Sequence, residues 1–231
     1  MARYWWITAV LGIICLFVMP FDLQFSNPDN FDYLPGDLTR VVTLSETFAH
    51  GYGILIVAVG IWLLAVNKRR FIPRILMCAI WPAAGVNLIK LLFGRHRPID
   101  YLDNHASGIL PQNIADTWLG LLPNGQWNTL YATQAFPSAH AATVWGLAIG
   151  MSWVFPKGKW LFYGIAVLAS IQRVTSAAHW TTDVLVGIAI AFVMAGSVTE
   201  NWGFGYFFGR FENRTKDQLS VQDSDDLRRA A

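Results

Sequence analysis

The chain alternates between long apolar stretches and short polar ones. Apolar runs cover residues 5–19, 48–66, 75–93, 140–155, 160–178 and 183–198. Each approaches the roughly 20 residues that an α-helix needs to cross a bilayer. The pattern predicts an all-α protein, a six-helix transmembrane bundle whose first span is short. Pro73 suits the first turn of the third helix, and Pro82, inside that helix, predicts a kink.

The polar pieces differ in charge. Lys68, Arg69 and Arg70 follow the second run, Lys157 and Lys159 follow the fourth, and Arg210, Arg214, Lys216, Arg228 and Arg229 follow the sixth. With Arg3 and Arg74 this side collects twelve Lys/Arg, against five on the other: Arg40, Lys90, Arg95, Arg97 and Arg173. Positive charge is retained on the cytoplasmic side, so both termini are expected there, with 20–47, 94–137 and 179–182 outside. The segment 94–137 is long for a connection. It forms an extracytoplasmic loop or cap between helices 3 and 4, either partly helical at the interface or a loop packed on the bundle. Trp and Tyr gather near several run ends, as in an aromatic belt. Residues 212–231 are polar and charge-rich and are expected to form a disordered cytoplasmic tail, leaving 1–211 as one transmembrane domain.

Composition sharpens this picture. Charged residues make up 14% of the chain, where a soluble domain carries about a quarter, so the outside of the bundle faces lipid. A net charge of +2, with basic residues scattered in short clusters, excludes a nucleic-acid footprint. Cys15 and Cys78 both lie in apolar runs and read as small buried hydrophobes, neither a disulfide nor a zinc site. After Met19 come Pro20, Phe21 and Asp22 rather than a small-x-small cleavage pattern, so the first run is expected to be an uncleaved span.

Three clusters break the apolar pattern at helix ends on the outer side. The first runs from Lys90 to Arg97 and Pro98; a spacing of seven places Lys90 and Arg97 on one helical face. The second is Pro137, Ser138, Ala139 and His140 at the entry to the fourth span. The third is Arg173, His179 and Asp183 across the turn between the last two spans. Cations at a membrane face are costly unless they meet anions. Arginine offers a fork that matches phosphate oxygens, and lysine a point charge. A helix starting at Ser138 adds backbone N–H groups and a favourable dipole. Two histidines beside such a cradle can serve as nucleophile and proton donor, and a carboxylate can fix the tautomer of one of them.

The order Lys-x6-Arg-Pro, Pro-Ser-x-His and Arg-x5-His-x3-Asp resembles the three-part signature of the type-2 phosphatidic acid phosphatase and vanadium haloperoxidase superfamily, on its bacterial membrane lipid phosphatase branch. The motifs cover Lys90 to Asp183. The resemblance implies a membrane lipid phosphatase that hydrolyses a phosphomonoester or diphosphate of a lipid through a phosphohistidine. It makes His179 the nucleophile, Asp183 its orienting carboxylate and His140 the general acid, then base. Lys90, Arg97 and Arg173, with Ser138 and the Ala139 N–H, bind the phosphate. No metal or other cofactor is implied. Two positions depart from the family pattern. Ala139 stands where Gly is usual, so a left-handed backbone there would be strained. Gln172 replaces the usual Ser before Arg173, changing either the hydrogen bonding around the phosphate or only packing.

Other residues stay open at this level. His50, His96 and His105 lie outside the motifs. His96 either touches substrate or is solvated; Arg95 is either a headgroup contact or an interfacial anchor; Asn87 either orients Lys90 or bonds a neighbouring helix. Transfer of the phosphoryl group to another lipid or sugar is an alternative to hydrolysis. A non-catalytic lipid-binding protein and a transporter are further rivals, the latter disfavoured because the charges gather at one face. Phosphatidic acid, phosphatidylglycerol phosphate, undecaprenyl diphosphate and lipid A all fit as substrates. The expected setting is a bacterial inner membrane with the site on the periplasmic side. Oligomeric state is not legible.

Overall fold

The computed structural model describes residues 2–31, 33–100, 111, 113–200 and 202–213. His105 and most of the expected tail lie outside those residues. Among the described residues, seven helices of ten residues or more, α1 (Ala2–Val18), α2 (Gly36–Ser45), α3 (Gly51–Leu64), α4 (Ile72–Leu92), α5 (Ala139–Val154), α6 (Lys159–Thr175) and α7 (Thr181–Thr199), are followed by a helical stretch over 204–213. Six of the seven coincide with the apolar runs. The seventh, α2, lies in the segment 20–47, where Pro35 precedes it and Asp37 sits in its first turn, next to the positive end of the helix dipole.

Among the described residues, three stretches are long and apolar enough to cross a membrane: Tyr4–Phe25, Val66–Leu92 and Thr181–Asn213. A fourth arises if Gly36–Ala49 and Gly51–Leu64, bent by 79°, count as one broken span. Helices α5 and α6 are shorter, at 16 and 17 residues.

The core is built on α5 and α7. Helix α4 packs against both, α1 against α7, and α6 against α5. Helix α5 is covered on most sides, burying Ala141, Ala142, Val144, Leu147, Ala148 and Ile149, which explains why it has no polar stripe. Two glycines permit the close approach. A Cβ on Gly146 would run into the carbonyl of Cys78 on α4, and one on Gly187 into the carbonyl of Ser138. Small residues play this part wherever helices pack in lipid. Helix α1 instead presents Trp6, Leu16 and Phe17 outward, each more than 70% exposed, as a lipid-facing surface would be. Helix α4 continues through Pro82 without a break.

The fold is not all helix. Helix α4 stops at Leu92, and Phe93 is already extended, with φ −114° and ψ 133°. Strand β1 (Phe93–Arg95) pairs antiparallel with β2 (Trp118–Leu121), Gly94 opposite Gly120. Lys90 and Arg97 therefore do not share a helical face as the spacing had predicted. Glycine is a poor helix former, and the ladder to β2 satisfies backbone groups that a longer helix would have paired internally. What is described of the long segment includes this strand pair, short 3₁₀ turns and three helical residues at 98–100. Glu212, the first residue of the expected tail, is buried, with one carboxylate oxygen 2.7 Å from Arg74 Nε and the other 2.8 Å from Nη2.

Candidate active site

The three motifs meet although none of them shares an element with another. Lys90 comes from the last turn of α4, Arg97 from the loop after β1, Ser138 from the start of α5, Arg173 from the last turn of α6 and Asp183 from the first turn of α7. Their side chains are buried, as is that of His179; Ala139 and His140 are half-buried.

The segment before α5 knits the group together. The Gln134 carbonyl accepts from Lys90 Nζ and, at 3.3 Å, from Arg97 Nη2. The next carbonyl, of Ala135, lies 2.7 Å from His179 Nδ1. Arg97 reaches on to the Tyr131 and Ala178 carbonyls at 3.2 and 3.1 Å and stacks 4.1 Å over the Tyr131 ring. The turn from α6 to α7 is closed by His179 N–H donating to the Arg173 carbonyl at 3.1 Å. Ala177 takes a left-handed φ of 53° in that turn, a conformation that costs a non-glycine residue energy and persists where surroundings enforce it. Ile99 N–H does so here, donating to the Ala177 carbonyl at 2.9 Å.

Ser138 caps α5, its Oγ accepting from Ala141 N–H, while its own N–H donates to the Asp183 carbonyl at 2.9 Å. The starts of α5 and α7 are thus fixed to each other, an approach that the missing side chain of Gly187 allows. Ala139 is the first residue of α5 and is not among the residues with positive φ, so the strain feared for an alanine at this position does not arise. Gln172 has a definite contact: its Oε1 accepts from Arg173 Nε at 2.5 Å and also from Nη2.

His179 precedes α7, yet its Nδ1 lies 3.8 Å from Asp183 Oδ2. That is a charge contact, longer than a hydrogen bond. The Ala135 carbonyl accepts the Nδ1 proton, which leaves the lone pair on Nε2. Burial pushes the imidazole down to about 4; the charges of Lys90 and Arg97 add to this and Asp183 opposes it. His179 is therefore neutral at pH 7. A buried, neutral imidazole with one nitrogen held and the other free, ringed by fixed cations, can attack an electrophilic phosphorus and leave the displaced charge stabilised.

Several contributors were not legible in the motifs. Arg95 is fully buried, and is neither an exposed headgroup contact nor an interfacial anchor. It lies between Trp118 and Trp180, with Nη1 2.5 Å from Asp183 Oδ1 and Nη2 2.7 Å from Asp22 Oδ2. Asp22 in turn accepts from Thr182 N–H at 3.0 Å, tying the end of the first apolar run to α7. Glu46 stands opposite the cradle, its Oε1 2.5 Å from Arg173 Nη2, 3.2 Å from His50 Nε2 and 4.0 Å from His140 Nε2. The signal was present: Glu46 and His50 are two polar residues four apart at the mouth of an apolar run. His96 is half-buried and gives its carbonyl to Trp180 Nε1 at 2.7 Å. Asn87 is exposed on α4.

Glu46, His50 and His140 bring three possible ligand atoms within 4.8 Å of one another, and two imidazoles with a carboxylate form a zinc-type donor set. Electrostatics disfavour that use. The Glu46 oxygen is already against the Arg173 guanidinium, so a divalent ion on it would face a fixed positive charge at close range. The cluster fits better as a counter-ion to Arg173.

The chain resembles known proteins. Lipid A 1-phosphatases of Rhizobium johnstonii and Rhizobium etli are each 27% identical to it over 103 residues, 45% of this chain. The match spans 36% and 38% of those relatives, so little more than a third of their length is represented. The crystal structure of Aquifex aeolicus LpxE superposes with a TM-score of 0.50 at 17% identity, covering 72% of this chain and 88% of that one; this likeness is one of fold. Residues 74–204 match the PAP2 superfamily. That stretch exceeds half of the chain and holds all three motifs, and the protein belongs to the PAP2 superfamily.

Proposed function

We propose that this protein is a membrane lipid phosphatase acting through a phosphohistidine at His179. The observation that carries the reading is a neutral, singly held His179 beside Lys90 and Arg97, with His140 close to both His179 and Arg173. His179 Nε2 attacks phosphorus, and a P–N bond forms as the P–O bond to the lipid breaks. His140 gives its proton to the departing oxygen. Water then attacks phosphorus, the P–N bond breaks, and His140 takes the proton from water. Asp183 stabilises the positive charge on His179, and the three cations, Ser138 and the Ala139 N–H hold the phosphoryl oxygens. No metal takes part.

A lipid substrate is supported by an apolar recess of about 250 Å³ between α3, α5 and α6. Phe48 at its edge lies between Glu46 and His50 in sequence, and Val144 lies one turn below His140. An acyl chain seated there would place its headgroup at the cradle. Among lipid phosphates, the names of the relatives favour the phosphate of lipid A. The setting proposed is a six-span bundle formed by residues 1–211 in a bacterial inner membrane, both termini cytoplasmic and the site periplasmic. The spans α5 and α6 are short; α5 is buried for most of its length, whereas α6 turns Trp160, Leu161 and Val167 outward.

The test is phosphate release by purified protein with chelator present, across lipid A, phosphatidic acid, phosphatidylglycerol phosphate and undecaprenyl diphosphate. Release from at least one, lost in His179→Ala while the protein still inserts, is the expected result. A strict magnesium requirement, or full turnover by His179→Ala, would refute the mechanism. Labelled phosphate appearing on a second lipid rather than in water would mark a transferase.

A further inference from the structure

We infer that Glu46 is a positioning residue, a counter-ion that passes from Arg173 to His140 when phosphate enters the cradle. The inference rests on the phosphatase reading and adds a residue to it that no motif contains.

The geometry is that of a placeholder. Glu46 opens the 3₁₀ turn Glu46–Ala49, beside the 79° bend between α2 and α3. Its carboxylate lies against Nη2 of Arg173, a guanidinium that the proposed mechanism assigns to a phosphoryl oxygen. Carboxylate and phosphate compete for the same fork, and a phosphate dianion carries the larger charge. Arg173 does not have to follow the departing carboxylate, because Gln172 Oε1 holds its Nε as well as the Nη2 that Glu46 contacts. Glu46 is about one-quarter exposed, so its side chain has room to turn.

Its remaining neighbours are two imidazoles. His50 Nε2 is 3.2 Å away and His140 Nε2 4.0 Å, with the two rings edge to face at 4.7 Å. His140 otherwise faces Arg173, His179, His50 and Arg97, groups that are cationic or, as imidazoles, become so on protonation. Among the described residues Glu46 is the one carboxylate paired with it. A proton donor surrounded by cations loses its proton to solvent unless an anion balances it. While Arg173 holds Glu46, that balance is spent on the guanidinium; once phosphate takes Arg173, the carboxylate is released to an imidazolium at His140. The acid is then charged as substrate arrives. Its proton goes to the leaving oxygen as the P–O bond breaks, and it regains a proton from water as the P–N bond breaks.

The test compares Glu46→Gln, Glu46→Asp and wild type for inorganic phosphate binding by calorimetry and for kcat against pH. In Glu46→Gln the competitor for Arg173 is gone and so is the anion beside His140. Phosphate should bind several-fold tighter, while kcat falls on the order of a hundredfold, the scale of a general-acid contribution. The alkaline limb of kcat should move down by about one pH unit, as expected when an opposite charge a few ångströms away is removed. Glu46→Asp should restore part of both. In His140→Ala the gain in phosphate binding from Glu46→Gln should persist while the pH effect disappears. Weaker phosphate binding together with lower kcat and an unmoved pH limb would show a merely structural Glu46 and overturn the inference, as would a Glu46→Gln variant identical to wild type. If wild type neither binds phosphate nor turns over any lipid, the phosphatase reading fails and this inference with it. If wild type does both and only the Glu46 effects are missing, this inference fails alone.

Discussion

Asp183 divides its carboxylate among three residues: Oδ1 lies 2.5 Å from Arg95 Nη1, and Oδ2 points toward His179 at 3.8 Å while accepting the Trp180 N–H at 2.9 Å. Arg95 spends its other Nη on Asp22. The proposed nucleophile is therefore steadied by a chain of charge that begins at the end of the first apolar run. One guanidinium balances two carboxylates, and all three side chains are fully buried.

Removing Arg95 should be more damaging than its absence from the family motifs suggests. Arg95→Met leaves Asp22 and Asp183 buried and uncompensated, at a cost of about 3–5 kcal/mol. The unfolding midpoint in detergent should fall by several degrees and turnover should be lost. Asp22→Asn keeps a hydrogen-bonding side chain and removes only one charge, so its cost is expected to be about 1–2 kcal/mol. A thermal melt of the two variants beside wild type separates them; equal midpoints would show that the triad contributes nothing.

The pH dependence of the free enzyme should reveal the buried imidazole. His179 has its lone pair only when neutral, and its environment holds it down to about 4. On the acid side, kcat/KM should therefore stay level well below 6.5 and decline only as the pH approaches 4, where protonation consumes the lone pair. An acid limb near 6.5, the value for an exposed histidine, would mean that His179 is solvated or is not the nucleophile.

The two departures from the family pattern should behave differently. Gln172→Ala removes the acceptor that holds Arg173, and hydrogen bonds to charged groups contribute about 1.5–3 kcal/mol. The KM for lipid phosphate should rise at least tenfold. Ala139→Gly should leave kcat and KM within about threefold, because the backbone at Ala139 is that of an ordinary first helical residue. A Gln172→Ala enzyme with unchanged KM would show that Gln172 only fills space.

Gly187 should tolerate no side chain. A Cβ there would strike the Ser138 carbonyl, so Gly187→Ala must push the start of α5 away from α7. Overpacking of this kind costs about 1–3 kcal/mol, and it also shifts Ser138 and His140 relative to His179. Both the melting midpoint and kcat should drop. Gly60→Ala, where nothing lies within 4 Å of the added methyl, is the matched control and should change neither.

The motif residues were visible because each interrupts an apolar run with a charge or an imidazole, and an intramembrane or interfacial charge has few uses other than meeting an anion. Spacing was a poorer guide. Lys90 and Arg97 look like neighbours on a helix, yet Gly94 and the pairing of β1 with β2 carry Arg97 to the site by another route. Glu46 lies 127 positions before Arg173 and Asp22 lies 73 before Arg95. Neither pair leaves a trace in local periodicity, because such partners become adjacent only after the helices have packed.

The linear chain by itself determined the apolar runs, the helices they become and the chemical kinds gathered at their ends, since hydropathy and charge act on each segment before it meets any other. Tertiary structure alone decided which carboxylate faces which cation. Asp183 is shared between Arg95 and His179, the Ala135 carbonyl rather than a carboxylate takes the His179 proton, and Glu46 closes on Arg173. Those outcomes depend on distances of 2.5–4 Å between segments far apart in the chain, and at that range electrostatics follows the packing of the bundle.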